Sequence, residues 1–68
     1  MILQYVDSSN IDKIGWENDT LRVQFKNGGT YDYYDVPEDV FEDFLNADSK
    51  GKYLHANIKN NYKYHKVY

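Results

Sequence analysis

A chain of 68 residues and 8.1 kDa is one domain, with room for a sheet and one or two helices but no second core. It is 41% hydrophobic and 28% charged, a folded composition, and no apolar run nears the ~20 residues of a membrane span. The net charge of −3 does not favour a polyanion partner; the opening MILQYVD reaches Asp7 too early for a signal peptide, and the absence of cysteine excludes disulfides, thiolate zinc sites and cysteine nucleophiles, so a cytoplasmic monomer is expected.

Residues 2–6 (ILQYV) are apolar enough for an edge strand or a strap. Residues 11–17 (IDKIGWE) alternate loosely, with Ile14 and Trp16 on one face, until Asn18-Asp19 breaks the segment. Residues 20–26 alternate strictly. Leu21, Val23 and Phe25 share one face, and Thr20, Arg22, Gln24 and Lys26 the other, as in a half-buried strand. Asn27-Gly28-Gly29 supplies the positive φ angles of a tight turn. Residues 30–34 make the next strand, with Tyr31 and Tyr33 on one face and Asp32 and Tyr34 on the other.

The period then changes to that of a helix. Asp35 is placed to cap it and Glu38 takes the capping-box position, with Pro37 tolerated in the first turn. Val40, Phe41, Phe44 and Leu45 form the apolar stripe; Asp39, Glu42 and Asp43 lie outside, and the helix ends near Ala47. Asp48 or Ser49 can cap a second helix over about residues 50–58, where Leu54 and Ile58 lie four apart, before Asn60-Asn61 breaks it. The tail is extended or a short final strand. The expected fold is α+β: an antiparallel meander of three or four strands, covered on one face by two helices. Its expected core is Ile14, Trp16, Leu21, Val23, Phe25, Val40, Phe41, Phe44, Leu45, Leu54 and Ile58.

Charge is unevenly spread. Residues 1–49 hold all 11 acids and three bases; residues 50–68 hold five lysines and no acid. The plainest reading is that the basic end folds back on the acidic helix and neutralises it. The other is that it meets a nucleic acid or a membrane surface, and of these no membrane partner is expected. Catalytic chemistry is not indicated. His55 and His65 are the two histidines, without ligand spacing, and Gly28-Gly29 lacks the lysine of a phosphate loop. No enzyme, cofactor or metal is expected.

Several short motifs line up with a known family. Ser8-Ser9-x-Ile11, Ile14-Gly15-Trp16 and Thr20-Leu21-x-Val23-x-Phe25-x-Asn27-Gly28 come first. Tyr31-x-Tyr33-x-Asp35-Val36-Pro37, Ala47-x-Ser49-x-Gly51-x-Tyr53 and Ile58-Lys59-x-x-Tyr62 follow. From Val6 to Tyr62 the chain resembles the KTSC domain, named for its place at the C-terminus of some lysyl-tRNA synthetases and found also in free-standing small bacterial or phage proteins. Trp16 stands where the family usually has tyrosine, and the aromatic character is kept. The resemblance implies no defined activity. Attachment to a tRNA ligase implies RNA, whether tRNA or a single strand, as a partner.

The residues suited to RNA are Lys50, Lys52, Lys59, Lys63 and Lys66 for phosphates and Tyr62 and Tyr64 for base stacking, with Tyr31 and Tyr33 as second choices. The plainer reading of Tyr31 and Tyr33 is that they face the helices, because an inward Asp32 would be costly; Tyr34 is then the exposed ring. One arginine among eight bases does not favour sequence-specific readout. The competing class is a protein-interaction module, using the acidic helix (Asp39, Glu42, Asp43) or an exposed sheet edge.

Overall fold

The computed structural model describes residues 1–68. Five strands, β1 (Gln4–Tyr5), β2 (Ile11–Glu17), β3 (Thr20–Phe25), β4 (Thr30–Tyr33) and β5 (Tyr64–Lys66), form one antiparallel sheet in chain order. The helices α1 (Glu38–Asn46) and α2 (Lys50–Tyr53) lie between β4 and β5, and α2 runs on into a π turn, Leu54–Ile58. The strand count exceeds the expected three or four because both end segments pair: Gln4 with Ile14, and Asp32 with His65.

The turns follow from local chemistry. Asn18 and Asp19 both take positive φ, as a two-residue hairpin loop between Glu17 and Thr20 requires. Gly28 takes φ 104 in the next turn, and the Phe25 N–H donates to the Gly29 carbonyl at 2.8 Å. Ser49 caps α2, accepting from the Lys52 N–H at 3.3 Å. The π turn is closed by the Lys59 N–H on the Leu54 carbonyl at 2.8 Å.

One expected cap is corrected. Asp35 does not cap α1: the N-cap is Pro37, which has no side-chain cap bond to offer. Asp35 instead sits at φ 59, turning the chain so that the Val36 N–H reaches the Asp19 carbonyl and the Trp16 Nε1–H reaches the Val36 carbonyl at 2.8 Å. Val36 is thereby pinned in the core.

That core is Ile11, Ile14, Leu21, Val23, Tyr33, Val36, Phe44, Leu54 and Ile58. Six of these were expected. Trp16, Phe25, Val40, Phe41 and Leu45 pack against it half-buried, while Ile11 joins from the start of β2, Tyr33 from β4 and Val36 from the loop before α1. Rings reinforce the helix side: Phe44 stacks on Tyr53 at 5.5 Å, and Trp16 on Phe41 at 6.4 Å.

The opposite face of the sheet holds the cross-strand pair of Arg22 and Asp32, bonded twice at 2.7 and 2.8 Å. Their hydrogen bond is the main cause that raises the Arg22 guanidinium above its ordinary value. The N-terminal strap crosses this face at Gly15, where an added Cβ would lie 2.6 Å from the Ile2 carbonyl oxygen and 2.6 Å from Leu3 Cδ2. Gly15→Ala is expected to push the strap off and to cost about 1–2 kcal/mol. Thermal unfolding would read the loss, and faster amide exchange at Val6, whose N–H donates to the Asp12 carbonyl, would locate it.

Candidate nucleic-acid interface

Strand register decides what faces the helices. Val23 pairs with Tyr31 and Leu21 with Tyr33; Tyr31 pairs in turn with Lys66, and Tyr33 with Tyr64. All six side chains therefore share the helix face of the sheet. Tyr33 is buried at 4% exposure, but Tyr64 at the far edge is 58% exposed. The helices thus cover the β2–β3 side and stop short of β5.

A groove of about 920 Å³ opens in the uncovered part. Its floor is a run of rings. Phe25 meets Tyr31 edge-on at 5.7 Å, Tyr31 meets Tyr64 at 5.9 Å, and Tyr64 meets Tyr33 at 5.7 Å. The helical side contributes Gly51, Leu54, His55 and Lys59; the 26–29 turn, Ser9, Asn10 and Tyr68 line the rest. Burying Leu54 and Ile58 places their successors, His55 and Lys59, at the flank of the buried stripe and so at the groove. Gly51 lets Asn10 come close: an added Cβ would lie 3.2 Å from its Oδ1.

Lys26, Lys59 and Lys66 line the groove, and no Asp or Glu does, although the chain has 11. The basic end was expected to fold back on the acidic helix and neutralise it, but none of its lysines pairs with a carboxylate of that helix. The two ion pairs are Arg22 with Asp32 and the N-terminal ammonium with Glu17, and neither uses a lysine. Lys26 Nζ donates to the Ser8 carbonyl at 2.6 Å, which fixes its place without cancelling its charge.

Of the residues singled out in the sequence, the fold gathers Tyr31, Tyr33, Tyr64, Lys59 and Lys66 at this groove. The remaining four lie elsewhere. Lys50 Nζ donates to the Ala47 carbonyl at 2.6 Å, at the end of α1. Tyr62 packs half-buried against the core, and Lys52 and Lys63 are exposed outside the groove. Tyr34 is exposed, as its position on the outer face requires. Lys26 and His55 were not singled out. The first precedes a glycine turn that only the folded chain brings near residue 59, and the second gains its place from Leu54 beside it.

Burial raises the Tyr33 hydroxyl above its ordinary 10.0, and the nearby Tyr31 and Tyr64 add to the effect. Burial acts the same way on Tyr53, reinforced by Asp43. The folded state thus holds these protons more tightly than the unfolded chain. The stability they contribute is full below the unfolded value and is lost as pH rises through the higher folded value. Melting temperature is expected to fall above about pH 10, and Tyr33→Phe to flatten part of that fall. A series of melts across this range checks both.

Comparison with known proteins agrees with this architecture. A crystal structure of a KTSC domain protein from Yersinia pestis superposes with a TM-score of 0.93 at 38% identity, covering 98% of this chain and 97% of that one. A protein of Tsukamurella paurometabola is 39% identical over 59 residues, 84% of this chain and 88% of its own length. A lysine–tRNA ligase of Trichormus variabilis is 44% identical over 48 residues, 71% of this chain but 9% of the ligase. The KTSC domain model itself matches residues 7–62. With the sheet, the motifs and this match in agreement, the chain belongs to the KTSC domain family.

Proposed function

We propose that this domain is a non-catalytic binding module whose partner is RNA, held in the groove between β4–β5 and the α2–π segment. The observation that carries this is an aromatic floor ringed by three lysines and lined by no Asp or Glu side chain, on a chain that is acidic overall. Exposed rings and a cationic track are what a strand of stacked bases and phosphates needs. Tyr64 and Tyr31 are the stacking surface, with Tyr33 at its buried margin. Lys59 and Lys66 are the phosphate contacts, joined by Lys26; Lys52 and Lys63 extend the positive field beyond the groove. Arg22 is engaged with Asp32, which leaves lysine point charges and a binding mode with little sequence preference. The homologous segment within a lysine–tRNA ligase makes tRNA a natural first ligand to try.

Fluorescence anisotropy with labelled bulk tRNA and a short single-stranded RNA, over a tenfold range of salt, tests the reading. With three lysines neutralising phosphates, log affinity for the single strand is expected to fall against log salt with a slope of about −2. Absence of binding at the lowest salt would overturn it.

A second reading has its own observation. Glu38, Asp39, Glu42 and Asp43 form an exposed face of α1 that no lysine neutralises, and β5 leaves one sheet edge unpaired. A basic protein partner would fit the first and an added strand the second. The acidic face of α1 lies outside the groove, so mapping the contact face separates that partner from RNA. A strand added at β5 would share Tyr64 and Lys66 with the groove and is told apart by its indifference to salt.

A further inference from the structure

We infer that the groove accepts an unpaired nucleotide unit, with its base on Tyr64 and its phosphates between Lys59 and Lys66, and that it excludes a duplex. This rests on the RNA reading above and adds what form of nucleic acid the site can take.

Tyr64 carries the inference. Its ring leans on Tyr31 and Tyr33 at 5.9 and 5.7 Å, yet the residue is 58% exposed. Its neighbours on the floor therefore leave ring surface open to the groove. A base inside a duplex has both faces covered by its own neighbours and offers Tyr64 nothing to stack on; an unpaired base does. The cations are arranged to suit. Lys66 follows Tyr64 by two residues and so stands on the same face of β5, while Lys59 comes from the helical side. A stacked base would thus have a positive charge on either flank, where its two phosphates run.

Size points the same way. The groove, about 920 Å³, is at the upper end of the ~300–1,000 Å³ of clefts that enclose a drug-sized molecule, which allows about two nucleotides.

The test titrates the domain with uridine monophosphate, with oligouridylates of increasing length, and with an RNA duplex of the longest length. Affinity is expected to climb over the first two or three nucleotides and then flatten, and the duplex to bind at least about tenfold more weakly than the single strand. A plateau already at the mononucleotide would support the same site and identify a free nucleotide as its source. Tyr64→Leu keeps an apolar contact on Tyr31 and Tyr33 but removes the stacking plane; it is expected to weaken single-strand binding about tenfold or more, while Tyr64→Phe stays within about twofold. The amide spectrum of each variant verifies its fold. Equal affinity for duplex and single strand, or no effect of Tyr64→Leu in a folded protein, would overturn this inference and leave the RNA reading standing. Failure of every RNA to bind would overturn both.

Discussion

Reversing two charges, Lys59→Glu with Lys66→Glu, is expected to lower affinity for single-stranded RNA about a hundredfold at low salt and to leave the fold intact. Both side chains are exposed and neither is in an ion pair, so their loss removes no packing and strands no buried partner. Each replacement removes a phosphate contact and sets an acidic side chain in a groove lined by no Asp or Glu. The salt dependence should nearly vanish with the affinity, because Lys26 alone remains of the three groove lysines. The matched control is Lys52→Glu with Lys63→Glu. It makes the same change in net charge outside the groove, and its expected loss is under about tenfold. Equal losses from the two pairs would mean that binding follows net charge and not this site.

Arg22→Ala is expected to destabilise the domain by about 2–3 kcal/mol, and more than Asp32→Ala does. The asymmetry comes from burial. The Asp32 side chain is 9% exposed and that of Arg22 30%, so removing the arginine leaves the less exposed of the two charges without its partner, whereas removing the aspartate leaves a guanidinium that water already reaches. A domain of this size has a total stability of roughly 3–10 kcal/mol, so the loss is a large share of it. Replacing both residues by valine keeps the cross-strand contact without either charge and should recover much of the loss. Urea unfolding of the four proteins measures each difference. A larger loss from Asp32→Ala would show that the charge left unpaired is not the dominant cost.

How far these features could be read in advance depended on their range. Strict alternation in 20–26 settled β3, and the inward face of Tyr31 and Tyr33 followed from placing Asp32 outward, where it meets Arg22. The stripes at Phe44 and at Leu54 and Ile58 located both helices, and Ser49 was one of two foreseen caps. Asp35 misled because its spacing to Glu38 is that of a capping box. The competing demand, seating Val36 against the Asp19 turn, comes from residues sixteen and more positions earlier and has no local signature. The groove was half legible for the same reason. The mixture of lysine and tyrosine was plain in 50–68, but only the pairing of β5 on β4 shows that Tyr64 and Lys66 join Tyr31 on one floor. Lys59 and Lys63 would have been the natural pair to reverse from sequence. The fold puts Lys66 in place of Lys63, because Lys66 shares a strand face with Tyr64. Lys50, which looked like part of the cationic track, bonds the last turn of α1 instead.

The most direct test of the groove as the binding site is an NMR titration of the isotope-labelled domain with a short single-stranded RNA at low salt. The account predicts amide shifts centred on Tyr31, His55, Lys59, Tyr64 and Lys66, extending to Lys26 and reversed by added salt. Shifts confined to α1 or to the β1 edge, or an unchanged spectrum with RNA in excess, would contradict it.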